Sequence, residues 1–85
     1  MTLRIETYSV KGGTTIRLIG RMQAEHVDEV LNQIEESGDT VTLDLEEVTL
    51  VDVHVIRFLG RCETRGITVV NGSPYITNWI ARERA

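Results

Sequence analysis

Few side chains in this 85-residue chain have types that do chemistry, and the most suggestive fall in its middle: Asp44, Asp52 and His54. Two carboxylates and an imidazole can pass protons or hold a metal ion. On a parallel sheet they would meet at the C-terminal edge, where such folds take ligands. The further ligands, the activated nucleophile and the glycine-rich loop that complete a catalytic or metal centre are missing from the pattern. No enzyme, metal or cofactor is therefore expected, and a small ligand-binding protein built on these three groups stays as an alternative. The plainer duties are a helix N-cap for Asp52, a strand-end acid for Asp44 and a surface position for His54.

Three arginines, Arg57, Arg61 and Arg65, are spaced by four and so line one stripe of a helix. Such a stripe is either a solvated face or a docking surface for an acidic partner. His26 lies off the apolar positions around it and reads as exposed. Tyr75 and Trp79 read as core or boundary residues, with Trp79 as a possible partner anchor if its helix is left uncovered. Gly12-Gly13 reads as a turn, because a phosphate-binding loop would lead into a helix.

The elements that position these residues follow from periodicity. Residues 3–10 alternate apolar and polar, Lys11-Gly12-Gly13 turns, and residues 14–19 return, which makes a β-hairpin. Val27, Val30, Leu31 and Ile34 then repeat at helical spacing in a helix over 23–37, closed by Ser37-Gly38-Asp39. A strand over 41–45 follows. After Asp52 comes a second helix whose core face is Val55, Ile56, Leu59 and Cys62, with Gly60 letting it pack closely on the sheet. Residues 67–70 form a fourth strand, and Ser73-Pro74 opens a third helix as N-cap and first helical residue. The order β-β-α-β-α-β-α predicts one α/β domain over 1–85, with a mostly parallel four-stranded sheet led by the hairpin. Because the strands alternate rather than run apolar throughout, the three helices are expected mainly on one face.

Bulk properties narrow the partners. The formal charge is −4: residues 1–50 carry ten acids against four bases, and residues 51–85 three acids against five bases. An acidic chain of this kind does not bind nucleic acid through a basic stripe. No apolar run approaches the length of a membrane span, so direct membrane insertion is not expected. Cys62 is the single cysteine and the N-terminus lacks a secretory apolar run, which together favour the cytoplasm.

The run Val41-Thr-Leu-Asp-Leu-Glu-Glu-Val-Thr-Leu-Val-Asp52, continued by Ile56, Phe58, Leu59, Gly60 and Arg61, resembles the central motif of STAS domains, and of bacterial anti-sigma factor antagonists in particular. Gly20 before the first helix and Ser73-Pro74 before the third are similar to the family pattern, so the resemblance spans nearly the whole chain. It implies a non-enzymatic module for regulatory protein–protein interaction, bacterial and cytoplasmic, acting in signalling and transcription regulation. The implied partner is an anti-sigma factor kinase or a related regulatory protein. A STAS-type subunit of a transporter or signalling complex is the alternative.

The family carries a phosphorylated serine just after its aspartate, and here Val53 stands in that place, with His54 and Val55 after it. Valine has no hydroxyl, so no phosphorylation is possible at Val53. Thr49 is the nearest hydroxyl and a weak candidate. The resemblance points to Thr49, Asp52, Val53, His54, Arg57 and Arg61 as the partner-binding residues. Oligomeric state is left open.

Overall fold

Alternation and a two-residue turn bring the first two strands together. In the computed structural model, which describes residues 3–38 and 40–84, β1 (Leu3–Val10) pairs antiparallel with β2 (Gly13–Met22) without a break in register, from Leu3 opposite Gly20 to Val10 opposite Gly13. Gly12 takes a φ of 87° in the turn, a region an L side chain rarely enters. Gly13 serves a different purpose: a Cβ there would collide with the Thr40 carbonyl oxygen, which accepts the Thr14 amide at 2.8 Å.

After β2 a single 3-10 turn, Ala24–His26, leads into α1 (Val27–Ser37), which Gly38 ends in the left-handed conformation. The tight first turn, where a regular helix over 23–37 was expected, is locally explained. His26 folds back so that its Nδ1 accepts the Gln23 amide at 2.9 Å, while its own amide donates to the Gln23 carbonyl. His26 is thus a half-buried capping residue rather than an exposed one. Asp39, expected in the turn after α1, lies outside the described residues.

β3 (Val41–Val51) joins β2 in parallel, α2 (Val53–Thr64) crosses over, β4 (Thr68–Val70) joins β3 in parallel, and α3 (Pro74–Arg84) completes the chain. The sheet order is β1-β2-β3-β4. This is the α/β architecture the pattern predicts, with its one antiparallel pair at the start.

Burial explains why the helices share a face. Ile16 and Leu18 of β2 and Leu43 and Leu45 of β3 are buried, while their neighbours Thr15, Arg17, Thr42 and Asp44 on the other face stay half-open. The buried row packs with Val30 and Ile34 of α1, with Val55, Ile56, Phe58, Leu59 and Cys62 of α2, and with Ile76 and Ile80 of α3 in one core. Gly60 differs from expectation in what it approaches: a Cβ there would press on Arg84 and Ile80 of α3, not on the sheet. Trp79 packs half-buried at the edge of the core, but Tyr75 is exposed and only leans on Trp79, with ring centroids 5.6 Å apart.

The uncovered face is polar and internally paired. Arg17 sits opposite Glu6 on β1 and Asp44 on β3, and its guanidinium bonds Glu47. Tyr8 donates to Glu6, and Arg4 bonds the same carboxyl at 2.6 Å.

Gly13→Ala is expected to lower unfolding stability by about 1–3 kcal/mol, since Thr40 backbone must move to admit the methyl group. Gly38→Ala meets open space and should lose only the roughly 1 kcal/mol of its left-handed conformation. Urea unfolding of both variants measures the difference; equal losses would contradict the close approach at Gly13.

Candidate functional site

Asp52 sits where β3 hands over to α2, and its carboxylate is shared between two segments. Oδ1 accepts the Val55 amide at 2.9 Å, capping α2, and Oδ2 accepts the Ala24 amide at 2.9 Å, from the turn that opens α1. Free amides at a helix start need acceptors, and an aspartate in extended conformation supplies one. The second bond is tertiary: it fastens the β2–α1 connection to the β3–α2 connection. Partial burial alone would raise the Asp52 pKa, yet the Val55 and Ala24 amides outweigh it, with His54 adding attraction, and hold the carboxyl below the ordinary range.

The strand leading to Asp52 is irregular. Between Arg17–Asp44 and Ile19–Glu47, and again between Gly20–Val48 and Arg21–Leu50, β3 gains one residue on β2. Each extra residue is a bulge that bends the strand and resets which side chains face out. Asp44 serves the first, its Oδ1 accepting the Glu46 amide at 3.0 Å and the Asn71 side-chain amide at 3.1 Å. Thr49 is the residue skipped at the second, and it is exposed. Leu50 is thereby turned outward and left 53% exposed, while Val51 packs against the core.

Two shallow depressions flank the Asp52 cap. One, of about 220 Å³, is lined by Arg21, Met22, Gln23, Leu50, Val51 and Asp52. The other, of about 430 Å³, lies between the starts of α1 and α2 and is lined by Ala24, Val27, Asp28, His54, Arg57 and Arg61. His54, Arg57 and Arg61 are all exposed there. Arg57 is also tied to α3, its Nε donating to Glu83 at 3.0 Å, whereas Arg61 has no ion pair among the described residues. Val53 is half-buried at the first position of α2 and lines neither depression, and Thr49 stands beside Leu50 on the strand side.

The structure brings Asp52, His54, Arg57 and Arg61 together and sets Thr49 at their border, but it does not bring Asp44 to them. Seven residues of extended chain lie between Asp44 and Asp52, on the order of 25 Å along the strand. The expected convergence of Asp44, Asp52 and His54 therefore does not occur, and the ligand site it implied is withdrawn. No group of three His, Cys, Asp or Glu residues among the described ones is arranged to hold a metal ion. Cys62 is buried on the core side of α2, and burial pushes its thiol up to about 11, which keeps it protonated and a poor nucleophile.

The sequence pattern assigns no role at this surface to Leu50 or to the α1 residues Val27 and Asp28. A bulge breaks the period-2 pattern that would mark Leu50 as outward, and the helical spacing of Val27 marks it as core although it also reaches the surface. Among the described residues no helix is long and apolar enough to cross a membrane. Neither a protein-family model nor a curated protein matches the chain.

Asp52→Ala is expected to cost about 1–2 kcal/mol of stability, at or above the upper part of the range for a cap because two amides lose their acceptor. The pH dependence has a defined sign. A carboxyl held below its unfolded value stabilises the fold fully above about pH 4 and loses that contribution as pH falls through its folded pKa. Thermal melts of the native protein and Asp52→Asn between neutral and acidic pH should therefore converge as the pH drops below about 4. A constant difference over the whole range would remove the ionised carboxylate from the account.

Proposed function

We propose that the chain is a non-enzymatic docking module of the anti-sigma factor antagonist type, working in the cytoplasm by binding an anti-sigma factor kinase or a related regulatory protein. The observation that carries this reading is the preformed surface around Asp52. Its backbone is pinned from two sides before any partner arrives, so binding does not have to order the loop. Exposed Leu50 offers an apolar anchor on one side, and His54, Arg57 and Arg61 offer donors and positive charge on the other.

An arginine pair on one helix face suits carboxylates of the partner, because guanidinium groups hold them by paired hydrogen bonds. The rest of the chain is acidic and does not compete for that role. The resemblance to STAS domains through Val41–Asp52 supports the same surface, and Val53 makes the module constitutive at the family's switch position: a side chain without a hydroxyl cannot be phosphorylated there. Thr49, exposed at the bulge, is the hydroxyl available for modification in this reading.

Partner capture from the native cell extract, followed by identification of the bound proteins, tests the proposal. An anti-sigma kinase is the expected catch. Arg61→Glu should weaken its binding about tenfold or more by reversing a charge at the interface, and Val53→Asp should weaken it by placing an anion at the α2 start. Circular dichroism should show both variants folded. Recovery of a transporter ATPase or a scaffold instead would move the chain to the assembly-subunit reading. A kinase bound equally by both variants would sink the proposed surface.

A further inference from the structure

The two edges of the sheet are unequal. β4 is only three residues long and is followed by Asn71 in the left-handed conformation at φ 62°, so that edge gives a partner strand little to pair with. β1 is eight residues long, holds its register with β2 throughout, and contains no proline or bulge; its two charged side chains, Arg4 and Glu6, are of opposite sign. Proteins usually blunt an edge of this kind with one of those devices.

The direction of its free hydrogen-bonding groups can be worked out. The Thr14 amide points to Thr40, away from β1, so Ser9 and Thr14 are a pair that exchanges no hydrogen bonds. Alternation along an antiparallel ladder then turns the amides and carbonyls of Leu3, Ile5, Thr7 and Ser9 to the outer edge. These are also the residues whose side chains lie on the core face. Leu3 and Ile5 pack against the core yet remain half-exposed, because no described strand lies beyond them.

On the open face the same strand carries Arg4 and Glu6, opposite in sign and placed symmetrically about Ile5. A second copy arriving antiparallel with Ile5 opposite Ile5 sets Arg4 of each strand against Glu6 of the other, twice. It also sets Leu3 opposite Thr7 and pairs the outward amides of both strands. A strand with charges of one sign would repel its own copy; this one is complementary to it. The symmetry axis stands perpendicular to the sheet, so core faces and open faces each continue into their counterparts.

We infer that the chain self-associates through the outer edge of β1 into a two-fold dimer with a continuous eight-stranded sheet, centred on Ile5 and registered by the Arg4–Glu6 pairs. Arg4 and Glu6 already bond within one strand at 2.6 Å, so the dimer exchanges partners between strands rather than exposing charge. The inference does not rest on the docking surface around Asp52, which follows β3, two strands in from the β1 edge.

Light scattering coupled to size-exclusion chromatography, over a wide range of concentration, is the test. The expected mass rises from 9.6 kDa toward twice that value as concentration increases. Arg4→Glu turns two attractive pairs repulsive and should weaken the dimer about tenfold. Combining it with Glu6→Arg should recover much of that loss. Thr7→Pro removes an outward amide without touching the β1–β2 ladder, so the hairpin should survive while dimerisation fails. Thermal melts establish that each variant is folded. A native mass of 9.6 kDa at every concentration overturns the inference, and so does a dimer indifferent to both Arg4→Glu and Thr7→Pro.

Discussion

A backbone amide at the start of a helix has no partner within the helix, and two such starts lie side by side in this fold. Asp52 answers both at once. Its carboxylate satisfies Val55 in its own helix and Ala24 in the turn that opens α1, so one side chain fixes the spacing of two connections remote in sequence. The depressions on either side of it are lined by residues of both connections whose spacing it fixes. A neutral or shorter side chain there leaves at least one amide unpaired, which is why the ionised form is favoured in the folded state.

The sheet beneath is asymmetric by composition. One face is built of Ile16, Leu18, Leu43 and Leu45 and collects all three helices, while the other carries a charge network with Arg17 at its centre. Arg17 is held in its charged form above all by Glu47, and its Nε is nonetheless buried without a hydrogen-bond partner among the described residues. Apart from that atom, neighbouring charges of both signs pair with one another on this face. Among the described residues, the outer edge of β1 and the rim around Asp52 keep bonding capacity, one in backbone groups and the other in side chains.

Ion pairs between α2 and α3 add little stability. Arg57 with Glu83 and Arg84 with Glu63 are exposed, and pairs of that kind contribute little in water. They flank the place where Gly60 lets Arg84 and Ile80 of α3 come close to α2.

The architecture was legible in the sequence because it is written in short-range signals. Alternation marked β1 and β2, helical spacing of Val30 and Ile34 marked α1, and Gly38, Ser73 and Pro74 marked helix ends, each acting within a few residues. The N-cap duty of Asp52 was legible for the same reason. Only the tertiary structure decided the length of β3, since its two bulges exist to match β2 and leave no period of their own. It alone decided that Asp44 belongs to a bulge and not to a site with Asp52 and His54, and that Ala24 is the second donor to Asp52. Those outcomes depend on pairing between strands and on contacts across twenty-eight positions of sequence, a separation at which a residue's type no longer predicts its neighbour.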